Sequence, residues 1–151
     1  MTLTKITAFA LAGLMSVGVV ATVLANDAAS LAPDKAVAAR RAAMKEDGKT
    51  LRGSNDFTGD KAIKALQTVY DNYTKLPSLF PKGSVTAESH ALPLIWSDWD
   101  NFTAIFKKGA VAATQGIAAA KAGDTAGYQA AVKTIADTCG TCHMTYRASL
   151  S

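Results

Sequence analysis

The sequence predicts an all-α fold, an antiparallel four-helix bundle, on three observations. Apolar side chains recur at three- and four-residue spacing in four separate stretches. Glycine, proline, serine and aspartate punctuate those stretches, leaving two short connections and one long one. No segment carries a convincing run of alternating or β-branched residues, which argues against a sheet.

The first 25 residues stand outside this pattern. After Lys5 the chain runs uncharged from Ile6 to Ala25, and Val23-Leu24-Ala25 supplies the small residues of a cleavage site before Asn26. Residues 1–25 read as a cleaved export signal. The run is long enough that a retained membrane anchor is the alternative, against which Gly13, Ser16 and Gly18 weigh. Residues 26–151 then form one domain, too short for two cores. Without Lys5, 15 basic residues face 12 acidic ones, a net charge of +3. These charges are scattered, so they describe a solvated surface, with no nucleic-acid footprint and no membrane contact once the signal is gone.

The first helix is expected over residues 33–52. Pro33 suits its opening turn, and Val37, Arg40 or Arg41, Met44, Gly48 and Leu51 fall at helical spacing. A turn at 53–56 leads to a second helix at 59–75, with Ile63, Leu66, Val69 or Tyr70, and Tyr73 on one stripe. Residues 77–93 hold three prolines and Gly83, and read as a packed crossover loop with room for a short helical turn. The third helix carries Ile95, Trp99, Phe102, Phe106, Ala113 and Ile117, and stops at Gly123. Asp124 caps the fourth, where Tyr128, Val132, Ile135, Cys139, Cys142 and Tyr146 share a face.

That last face holds the chemistry. In Cys139-Gly-Thr-Cys142-His143 the three ligating side chains project from one side of a helix within about one turn. The spacing C-x-x-C-H reads as c-type haem attachment: each thiol adds to a porphyrin vinyl group, and the imidazole binds the iron as proximal ligand. Three other readings are weaker. A thioredoxin-like pair opens a helix after a strand, which this one does not. A structural zinc needs a fourth ligand, for which His90 is the sole candidate. A disulfide between Cys139 and Cys142 closes a loop too short to stabilise much. On the distal side Met1 and Met15 leave with the signal, and Met144 follows His143 on the proximal side. Met44, four residues after Arg40 on the first helix, and His90 in the crossover remain, and an ordinary core role stays open for Met44.

The segments Arg40-Arg-Ala-Ala-Met44-Lys-Glu-Asp-Gly48, Leu76-Pro-Ser-Leu-Phe80-Pro81, Pro93-Leu-Ile-Trp96 and Cys139-Gly-Thr-Cys142-His143-Met-Thr-Tyr146-Arg147 together resemble the class II c-type cytochromes, the cytochrome c prime family. The resemblance covers most of the mature chain and implies one covalent haem c held in the bundle, with the first helix supplying the residue over its distal face. High-spin members place a non-coordinating side chain there; low-spin members carry a coordinating methionine. Ala43-Met44-Lys45-Glu46-Asp47-Gly48 is similar to the low-spin, methionine-ligated branch. The same resemblance implies Arg40 near a propionate, Arg147 bordering the proximal pocket, and Trp96 and Tyr146 as pocket packing.

With His143 and Met44 both on the iron there is no open position, and the haem shuttles one electron. No Ser-His-Asp set, acid pair or phosphate loop appears, so the chain reads as a periplasmic electron carrier and not an enzyme. The main alternative is a five-coordinate protein that binds nitric oxide or carbon monoxide beside an uncoordinated Met44. A lesser one is a haem-free dithiol module acting through Cys139 and Cys142. Unidentified redox proteins are the expected partners, and the chain itself is expected as a monomer or weak homodimer.

Overall fold

A computed structural model describes residues 31–149 of the chain, so the expected signal at 1–25 lies outside the described residues. Four long helices make up the molecule: α1 (Pro33–Thr50), α2 (Gly59–Lys75), α3 (Trp99–Ala122) and α4 (Thr125–Tyr146). Among the described residues no strand forms; one isolated antiparallel bridge joins Ala91 to Arg147. The expected four-helix bundle is the fold observed.

Each boundary has a local cause. Pro33 occupies the opening turn of α1, where its missing N–H costs nothing. The helix ends at Thr50, two residues short of the expected 52, and the Leu51 N–H closes onto the Asp47 carbonyl. Helix α2 has the expected bounds and runs into a 3₁₀ turn, Leu76–Leu79, that begins the crossover. The third helix departs from expectation: a single turn, Leu94–Ser97, breaks at Asp98 before α3 starts. That break swings Trp99 off the core stripe, and it is 38% exposed. Gly123 ends α3 in a left-handed conformation (φ +72°), and the next residue, Asp124, caps α4 by accepting from the Gly127 N–H at 2.9 Å. A two-residue link therefore forces α3 and α4 antiparallel and adjacent.

The core lies between α2, α3 and α4, with Leu66, Val69, Phe102, Ala113, Tyr128 and Ile135 all but sealed from solvent. On α2 it is Val69 that turns inward, while Tyr70 stays exposed. Two glycines of α3 let its neighbours approach. A β-carbon on Gly116 would meet Leu66 Cδ1 at 2.4 Å and Ala131 Cβ at 2.8 Å, and one on Gly109 would strike the Tyr73 ring. Helix α1 packs on α2 and on the crossover. Between α1 and α4 lies a cavity.

Candidate functional site

The cavity has a volume of about 710 Å³, within the range of pockets that hold a cofactor. From α1 come Val37, Arg40, Arg41, Met44 and Lys45; from α4, Cys142, His143 and Tyr146, with Arg147 just beyond its end. Phe80, Ile95 and Phe102 form the apolar floor, and Glu88, Ser89 and His90 of the crossover border one side. Met44 and His143 thus reach the same space from two different helices. Phe102 organises the floor: Phe80, Phe106 and Tyr146 meet it edge-on with ring centroids 4.9, 5.1 and 5.3 Å away.

Arg40 is the main polar anchor. Its guanidinium donates to Leu79 O at 3.2 Å, Ser84 Oγ at 2.8 Å, Ser84 O at 2.8 Å and Ser89 Oγ at 2.7 Å, and stacks 4.3 Å over the Phe80 ring. One side chain of α1 therefore holds the crossover against the cavity. Burial draws its pKa down to about 10, which leaves it charged at neutral pH. It is 3% exposed, yet all its hydrogen-bond acceptors are neutral oxygens and no carboxylate among the described residues pairs with it. A buried cation without a counter-ion on a cavity wall suits an anionic guest. At the rim, Arg41 pairs with Glu88 at 2.7 Å in solvent, where such a contact adds little.

The thiols differ in setting. Cys142 is buried on the cavity wall, and its pKa is pushed up to about 11, by burial first and then by Cys139. Cys139 is half-buried behind that wall, with its sulfur 3.2 Å from the Tyr73 hydroxyl; both cysteines are free. For His143, burial and then the Arg147 charge lower the pKa, which favours the neutral imidazole that can bind a metal. Tyr146 donates to Asp98, which pushes the phenol up to about 12 and fastens the end of α4 to the Asp98 break. The C-terminal residues also clasp the crossover, through Leu92 N–H to Tyr146 O at 2.9 Å and Ala148 N–H to His90 O at 2.8 Å.

Six of the eight residues singled out from the sequence therefore line one cavity: Arg40, Met44, Cys142, His143, Tyr146 and Arg147. Cys139 stands one step behind it. Trp96 does not line it; its indole N–H donates to Phe80 O at 3.0 Å, and its ring lines a neighbouring shallow groove with Pro77, Pro81 and Trp99. Sequence reasoning missed the binding of the crossover by Arg40 and the contact between Tyr73 and Cys139, because both join residues far apart in the chain.

Known proteins resemble this chain in sequence and fold. The family model described as Cytochrome C' matches residues 32–147. The chain belongs to the cytochrome c' family. Members of this family carry a covalently attached haem c, and the cavity, the paired thiols and the unpaired Arg40 fit such a group. The cytochrome c' of Rhodopseudomonas palustris is 33% identical over 130 residues, covering 81% of this chain and 88% of the relative. Its solved structure has a TM-score of 0.66 at 31% identity, covering 77% of this chain and 98% of that one. Cytochrome c-556 of Agrobacterium tumefaciens is 38% identical over 98 residues, covering 64% of this chain and 77% of the relative. The cytochrome c' of Thermochromatium tepidum, at 20% identity and a TM-score of 0.70, shares the fold and covers 79% of this chain and 98% of its own.

Proposed function

We propose that this cytochrome c' family member is an exported one-electron carrier in which Cys139 and Cys142 attach the haem, His143 binds the iron, and Met44 closes the distal position. The observation that carries the reading is that Met44 and His143 reach one cavity from α1 and α4. The haem supplies the one-electron couple. Cys139 and Cys142 would each hold the haem through a thioether, made by adding the thiol S–H across a vinyl group with no oxidant consumed. The lowered pKa of His143 would favour the neutral imidazole that ligation needs, and the buried, unpaired charge of Arg40 would balance the propionates. Phe80, Ile95 and Phe102 exclude water, which keeps reorganisation small when the electron moves. Cleavage of residues 1–25 delivers the chain to the periplasm, where redox proteins meet it as a monomer or weak homodimer. Among the described residues no helix is long and apolar enough to cross a membrane.

A second reading has its own support. The Rhodopseudomonas palustris relative is a cytochrome c', and a five-coordinate haem is typical of that group; it backs a gas-binding haem with an open distal side more directly than it backs methionine ligation. Here Met44 would be packing. Absorption spectra of wild type and Met44→Ala separate the two. Sharp ferrous bands and a weak near-infrared ferric band that vanish in the variant support the carrier. A wild-type spectrum that is already high-spin and shifts with carbon monoxide makes the gas-binding reading the correct one.

A further inference from the structure

Helix α2 brings one buried hydroxyl against the Cys139 sulfur, and α3 holds it there. Tyr73 is 5% exposed, with its ring edge-on to Phe106 at 5.7 Å and seated over Gly109, where a β-carbon would lie 2.1 Å from the ring. From that seat the hydroxyl reaches α4, 3.1 Å from Thr138 Oγ1 and 3.2 Å from Cys139 Sγ. Proton counting sets the direction of each bond. Thr138 donates its only hydroxyl proton to the Ile135 carbonyl at 2.6 Å, so its oxygen can only accept from Tyr73. Tyr73 has then used its single proton, and the contact with Cys139 must be the thiol S–H donated to the Tyr73 oxygen. A directed chain results, from Cys139 through Tyr73 and Thr138 to the Ile135 carbonyl. Burial, and Cys139 after it, push the Tyr73 phenol far above its ordinary range, so it keeps its proton.

On the haem reading given above, we infer that Tyr73 is a positioning residue for the Cys139 attachment point: its hydroxyl fixes the thiol and, once that sulfur is a thioether, donates to it. The logic follows from the same count. Attachment forms the sulfur–carbon bond and sends the thiol proton to the vinyl carbon, which leaves the Tyr73 O–H as the one proton between the two atoms. Thr138 and the sulfur then compete for it. A proton shared with the sulfur draws electron density from the porphyrin edge and favours the ferrous state.

The test uses the haem-loaded protein. Tyr73→Phe keeps the ring in its seat and removes only the hydroxyl; Thr138→Val removes the competing acceptor. The expected results are a lower midpoint potential in Tyr73→Phe, with a fraction of its haem held by a single thioether as read from a red-shifted pyridine haemochrome, and a higher potential in Thr138→Val. A Tyr73→Phe protein with two thioethers and the wild-type potential overturns the role of Tyr73 while leaving attachment standing, as do shifts of the same sign in both variants. A wild-type protein that loses its haem in acid acetone overturns the attachment reading, and the role of Tyr73 with it.

Discussion

Asp47 shows how one side chain sets a pH dependence. It is 2% exposed; Oδ1 accepts from Asn72 Nδ2 at 2.8 Å, while Oδ2 has no hydrogen-bond partner. Burial pushes its pKa up to about 6, the neighbouring Glu46 charge adds to this, and the Asn72 bond opposes it. The fold therefore binds this proton more tightly than the unfolded chain does. Its contribution to stability is complete at low pH and is lost as pH rises from the ordinary carboxylate range through about 6. At pH 7 the fold carries an ionised, half-satisfied carboxylate. Asp47→Asn is expected to raise stability at pH 7 by on the order of 1 kcal/mol and to flatten the thermal stability profile between about pH 4 and 6. Thermal melts across that window check it, and a variant that melts lower at pH 7 would show that the charge is compensated.

At the scale of elements, close approach of α2, α3 and α4 depends on positions that carry no side chain. Gly116→Ala places a β-carbon 2.8 Å from Ala131 Cβ, which cannot rotate away, and 2.4 Å from Leu66 Cδ1. Alanine improves helix propensity by about 1 kcal/mol, while overpacking of a tight contact costs about 1–3 kcal/mol. The steric effect wins, and Gly116→Ala is expected to lower the midpoint of denaturant unfolding; an unchanged midpoint would mean that α3 shifts freely. Periodicity located these helices but not this contact. The purpose of both buried glycines of α3 lies on the facing helices, which the pattern of α3 alone does not show. Helix α2, with its stripe in its own residues, a turn before it and Pro77 after it, had its bounds in plain view. The break at Asp98 did not, because residues 94–122 carry one continuous apolar period and the Tyr146 hydroxyl that holds the break comes from the far end of the chain.

In the molecule as a whole, α2, α3 and α4 share one core, whereas α1 and α4 line a cavity of about 710 Å³. A cavity of this size forgoes packing along both of its walls. A haem-free Cys139→Ala/Cys142→Ala chain is therefore expected to keep α2, α3 and α4 but to hold α1 loosely. Hydrogen exchange read by mass spectrometry would show protection lost in residues 33–50 well before the other helices. Equal protection of all four helices would mean that Arg40 and the crossover suffice to seat α1.

Sequence by itself determined the four helical stretches and the C-x-x-C-H constellation, since periodicity and ligand spacing are local properties carried within one turn or two. Tertiary structure alone decided which side chains share a space. It buried Arg40 under the crossover while leaving Arg41 to an exposed pair with Glu88, moved Trp96 to a separate groove, and set the Tyr73 hydroxyl against the Cys139 sulfur. The physical reason is that a hydrogen bond or a steric fit between residues tens of positions apart leaves no period in the chain. Only the packing angle of the helices, fixed by what their facing surfaces will admit, brings such groups within reach.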